Sequence, residues 1–214
     1  MRQRLCHTII GLGMLFGLSG TALADFIYTL DTANFAIPAP YGTATVHLIN
    51  STHASVTFVS NNTTAMYFFA DGGAVGVNVN ASAWTASATG DCTSCNPLTG
   101  IGSGNEDGFG SFNQRFTAGT GNPGDRSHVI TVLLTNTGGT WANDMVVLIN
   151  NASGDAVAAH IFNCPAGITG ECLTGFATSD AGGREQQIPE PGMLGLLALG
   201  MMASGVVITR RRRV

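Results

Sequence analysis

The chain predicts an all-β fold, an antiparallel β-sandwich of jelly-roll-like or immunoglobulin-like type, on three observations. Short apolar segments alternate with period two between residues 25 and 162. Clusters of Gly, Asn, Asp and Thr punctuate them. No amphipathic helical face of about ten residues interrupts them, so the crossover helices of a parallel sheet are missing.

The elements follow in order. "TATVHLIN" (43–50) sets Ala44, Val46 and Leu48 on one side of a strand. "ASVTFVS" (54–60) and "TAMYFFA" (64–70) come next, with "SNNTT" between them. "AVGVNVN" (74–80) alternates cleanly: Val75, Val77 and Val79 face one way, Asn78 and Asn80 the other. "FGSFNQRFT" (109–117), "SHVITVLLTN" (127–136), "MVVLIN" (145–150) and "AVAAHIF" (156–162) share the β-branched and aromatic bias of strands. "GTGNPGD" and "NTGGTWAND" supply turns. Together these segments predict about nine strands. Two stretches break the pattern. Residues 90–108 read as a long Gly/Ser/Thr/Asn loop, and residues 164–187 form a second Gly-rich stretch that reads as a spacer from about Thr178.

The two ends stand apart from this fold. Arg2 and Arg4, the apolar "TIIGLGMLFGLSG" and the small-residue "TALA" form a leader with cleavage expected after Ala24. An exported β domain over 25–177 and a spacer over 178–188 follow. Pro189, Glu190 and Pro191 then precede 18 uncharged residues, 192–209. As a helix these span roughly 27 Å, close to a bilayer's hydrocarbon thickness. Arg210, Arg211, Arg212 and Arg213 stop the segment on the cytoplasmic side. A permanent single-span anchor is the competing reading.

The stretch 25–187 has no lysine, three arginines and twelve carboxylates, a formal charge of −9. That balance opposes nucleic-acid binding, which needs a basic footprint. Four cysteines fall in it, and an even number in an exported chain reads as disulfides with three possible pairings. The local one, Cys92 with Cys95 and Cys164 with Cys172, is favoured. A zinc site lacks a second ligand pair of the right spacing.

The residues point away from enzyme chemistry and from any cofactor. The histidines His47, His53, His128 and His160 accompany no nucleophile elbow, zinc-protease helix or phosphate loop. "GNEDGFG" groups Asn105, Glu106 and Asp107 as possible oxygen ligands for calcium, without the ladder of an EF-hand. Trp84, Trp141 and Tyr41 are candidates for stacking on sugar, although a tryptophan in a β domain more commonly serves the core.

The ordered tail, Pro189-Glu190-Pro191, then an apolar run, then four arginines, resembles the PEP-CTERM sorting signal of Gram-negative bacteria. The resemblance covers 189–214. It implies export past a signal peptidase, transient residence in the inner membrane, and processing by an exosortase that reads the tripeptide. It implies a final place at the cell surface or in an extracellular matrix of exopolysaccharide or biofilm. "DGFGSFN" (107–113), "GGTWAND" and "AAHIFNC" also resemble segments of β domains that accompany such tails. From the resemblance and the residues together, a structural or interaction role is expected, with extracellular polysaccharide as a partner. A carbohydrate-binding module is the alternative, and a secreted hydrolase a more distant one.

Overall fold

Alternating side chains build antiparallel sheets in the computed structural model, which describes residues 25–61, 66–93, 95–119, 125–164 and 172–179. These all belong to the unit Leu23–Pro189. The second unit, Met1–Ala22 with Glu190–Val214, lies outside the described residues, and so do the leader and the sorting tail. Among the described residues no helix is long and apolar enough to cross a membrane.

Twelve strands are described. The first six are β1 (Phe26–Leu30), β2 (Thr32–Ala33), β3 (Gly42–Asn50), β4 (His53–Ser60), β5 (Tyr67–Phe69) and β6 (Asp71–Val77). The rest are β7 (Trp84–Gly90), β8 (Thr99–Glu106), β9 (Gly110–Ala118), β10 (Val129–Asn136), β11 (Val157–Asn163) and β12 (Leu173–Thr178). They form a five-stranded sheet, β1-β3-β4-β10-β7, and a seven-stranded sheet, β2-β12-β11-β6-β9-β8, with β5 also paired to β11. All pairings are antiparallel.

The inward residues of both sheets meet in one core. Val46, Val56, Phe58, Ile130 and Leu134 come from the first sheet; Phe69, Val75, Val77, Phe116 and Ile161 come from the second. Phe58 and Phe69 cross between the layers edge to face at 6.2 Å. Fully burying side chains of this size contributes about 1.5–3 kcal/mol each. The faces expected for 43–50 and 74–80 hold: Ala44, Val46 and Leu48 are buried, as are Val75, Val77 and Val79.

Three expectations change. The loop read over 90–108 contains β8, an edge strand whose Gly100, Gly102 and Gly104 hide its period while its backbone still pairs with β9. The second Gly-rich stretch, where no strand is expected, contains β12, which sits inside the second sheet between β11 and β2. "MVVLIN" is no strand. It opens as a 3-10 turn, Asp144–Val146, and touches a sheet only through the single bridge of Leu148 with Val79. The turn forms because buried Asp144 accepts the Leu48 backbone N–H at 2.7 Å, which fixes the chain across the end of β3.

Candidate functional site

The four cysteines pair locally, Cys92 with Cys95 and Cys164 with Cys172, at Cα separations of 5.0 and 4.8 Å. The first bridge closes the turn after β7, where Gly90 N–H also donates to the Cys95 carbonyl at 2.7 Å. Beside it, one Asp91 carboxylate oxygen accepts from the Ser127 hydroxyl at 2.5 Å, His128 N–H at 2.8 Å and Val129 N–H at 3.2 Å. Burial pushes that carboxyl up, but the hydrogen bonds outweigh it and hold its pKa below the usual value. The second bridge spans the connection from β11 to β12. Both are staples on strand ends.

The histidines are dispersed. His47 lies 2.7 Å from Asp25, the first residue after the expected cleavage point. His53 belongs to the β3–β4 turn, whose Asn50 side chain accepts two backbone N–H groups. His128 bonds Ser60 at 3.0 Å and packs on Phe68. His160 stacks on Phe176 at 4.3 Å, and its Nε2 lies 2.7 Å from the Thr174 hydroxyl. Burial lowers its pKa, against the Asp71 carboxylate and the Gly72 backbone. Among the described residues no three of His, Cys, Asp and Glu gather as metal ligands.

The "GNEDGFG" cluster does not converge either. Asn105 and Asp107 are exposed, whereas Glu106 turns into the protein and is fully buried. It occupies a niche on the outer side of the second sheet that only glycine permits. Gly73 adopts φ +71°, and a Cβ there would overlap the carboxylate. The partner, Arg115, lies 3.4 Å from Oε1 and also donates to the Asn105 carbonyl at 2.8 Å. Glu106 Oε2 and Arg115 Nε have no hydrogen-bond partner. With one long contact to offset its desolvation, the Glu106 carboxyl is pushed up to about 8 by burial, despite the opposing pull of Arg115. Phe109, Phe112, Ala158 and the half-buried Phe176 close over the same side as a small apolar cluster. The "DGFGSFN" segment thus packs; it does not present ligands.

Two of the stacking candidates are also internal. Trp141 is buried, with its Nε1–H donating to the Asn80 carbonyl at 2.7 Å, and Tyr41 is buried, with its hydroxyl on the Ile37 carbonyl at 2.8 Å. Trp84 is half-buried against the core. None of these three rings is an exposed flat platform for stacking on a sugar.

What does lie open is the outer side of the five-stranded sheet. Its strands contain no Asp, Glu, Lys or Arg at all. Register lines up one row across the sheet as Ile27, Thr45, Thr57, Thr131 and Thr89. The Thr57 and Thr131 hydroxyls stand 3.4 Å apart. A neighbouring row is His47, Ser55, Leu133 and Ser87. A third row places His53, Thr135 and Thr85 side by side, where an open groove runs to Ile49 and Leu133. No single strand marks these threonines; register makes them a surface.

The described residues thus form an antiparallel β-sandwich domain carrying two short disulfide staples, a class of fold that leaves its destination to be written elsewhere in the chain. That writing is at residues 187–213, which match the family model of the PEP-CTERM protein-sorting motif. The match contains Pro189, Glu190 and Pro191 and the arginines Arg210, Arg211, Arg212 and Arg213, all outside the described residues. The motif implies a secreted protein sorted by an exosortase. No curated protein and no solved structure matches the chain.

Proposed function

We propose that the protein is an exported, exosortase-sorted component of an exopolysaccharide or biofilm matrix, with a structural or interaction role and no enzyme activity of its own. The single observation that carries this is the sorting motif at 187–213, standing behind a domain of 25–179 that is acidic and stapled. Pro189, Glu190 and Pro191 are the residues the exosortase reads. The apolar run 192–209 crosses the inner membrane until processing, and Arg210 to Arg213 hold its end in the cytoplasm. A signal peptidase removes 1–24. The domain then reaches the cell surface or the matrix.

Replacing Pro189, Glu190 and Pro191 with alanine tests the reading. The variant should insert its apolar segment yet accumulate in the inner membrane at full mass. Fractionation with intact-mass measurement reads the result, and normal trimming and release of the variant would overturn it.

A further inference from the structure

We infer that the outer face of the five-stranded sheet binds a neutral polysaccharide through its rows of hydroxyls. The inference rests on the reading of the protein as a secreted matrix component and names the chemistry of the polymer it meets.

Charge distribution is the first reason. The stretch 25–187 carries a formal −9, yet the five strands of this sheet contribute no ionised carboxylate, ammonium or guanidinium group, and the carboxylate at its margin, Asp25, is bonded to His47 at 2.7 Å. Solubility alone would be served by acids on this open face as on any other. A polyanionic polymer would be repelled by the domain as a whole, and a polycation would find only Asp25, already bonded to His47, at the margin of this face. A neutral polymer meets neither obstacle.

Hydrogen-bonding capacity is the second reason. A hydroxyl is at once a donor and a double acceptor, so a row of threonines can answer a row of sugar hydroxyls in either orientation. The Thr45–Thr57–Thr131–Thr89 row runs across four strands with no register shift. Adjacent strands stand about 4.8 Å apart, so the row is a ladder of hydroxyls at regular spacing. The threonine methyls and the exposed Leu133 and Ile49 give apolar ground for the C–H faces of sugar rings. Their chains are held by the sheet, so little side-chain freedom is lost on binding. A second copy of this chain is a poorer occupant, because self-docking surfaces carry a contiguous apolar centre, and here the exposed Leu133 is ringed by Ser55, Ser87, Thr131 and Thr135.

The test uses the full-length chain purified in detergent, co-sedimented with cellulose and with cross-linked dextran, and set against alginate as the polyanion. Binding to a neutral polymer should persist at about 0.5 M salt, where charge effects are screened. The double variant Thr57→Val with Thr131→Val keeps the branched shape and strand preference but deletes two hydroxyls. It should bind at least about ten-fold more weakly, an effect that repeated sites along a polymer amplify. Thr57→Ser with Thr131→Ser keeps the hydroxyls on a poorer strand former and should retain binding. Stability and binding are therefore driven in opposite directions by the two variants, so a folding defect cannot imitate the result. No retention on either neutral polymer, retention on alginate alone, or equal binding by the valine variant would each overturn the inference. So would a wild-type dimer that the valine variant splits without any change in glycan retention. Sorting of all these variants should be normal, which separates failure here from failure of the sorting reading.

Discussion

The two sheets of this domain treat their outer sides in opposite ways. The five-stranded sheet holds its register evenly from β4 through β10 to β7, carries no charged residue in any strand, and leaves hydroxyls in the open. The seven-stranded sheet is broken by register shifts between β6 and β9 and between β8 and β9. Across those irregularities it folds the Glu106–Arg115 pair and the Phe109–Phe112–Phe176 cluster against its own back. The difference teaches where glycine is used. Gly73 and Gly104 make room for the carboxylate and the guanidinium, so the second sheet closes over itself; in the first, Gly42 and Gly90 make room only for the Val59 backbone and for the Ser127 and Cys95 side chains at strand ends.

Breaking the closed side should cost most. Phe112 is fully buried on the outer side of the second sheet, so Phe112→Ala should lower stability by about 3–5 kcal/mol in a urea titration. A loss below about 1 kcal/mol would mean that this side is as open as the other.

Removing the buried acid should sharpen the contrast through pH. The folded-state pKa of Glu106, about 8, lies above its unfolded value, so the folded chain binds the extra proton. Its contribution is complete below about pH 4.5 and is lost as pH rises toward about 8. His160 works the other way: burial favours its neutral ring, so it destabilises as pH falls below about 6.5. Between about pH 6.5 and 8 Glu106 acts without that opposition, and wild-type stability should fall by about 2 kcal/mol. Glu106→Gln should be flat across the same window, compared by urea midpoints at its two ends.

The open side should barely respond. Thr45→Val changes a half-buried hydroxyl on the hydroxyl row and should shift stability by no more than about 0.5 kcal/mol in either direction. A larger loss would show that the row holds the sheet together and is not free for a ligand.

Much of the fold was legible because burial on one face leaves a period. Val75, Val77 and Val79 announced themselves, as did Ala44, Val46 and Leu48. β7 did not, since "WTASATG" buries only Ala88 and its pairing is carried by backbone. β8 was hidden by its glycines for the same reason. "MVVLIN" misled because Val147 and Leu148 are buried consecutively, at a turn that caps the core rather than on a strand. The sorting tail was legible because such a signal is a linear order of residues. Glu106 was not: "NEDG" reads as a solvated turn until Gly73, far away in the chain, is seen to vacate the space that the carboxyl fills. The hydroxyl rows needed register, which no single strand contains.

β12 ends at Thr178, nine residues before the matched motif begins, and the chain that leaves it is the chain that meets the sorting machinery. That strand is gripped on both flanks. Thr178 pairs with Ala158 and with Thr32, its carbonyl accepts the Asp31 N–H at 3.0 Å, and its hydroxyl donates to Asp155 at 3.0 Å. A tug on the tail therefore reaches the domain at a point bolted to its neighbours on either side. Pulling β12 free means tearing two ladders at once, a mechanical resistance governed by the rate of rupture.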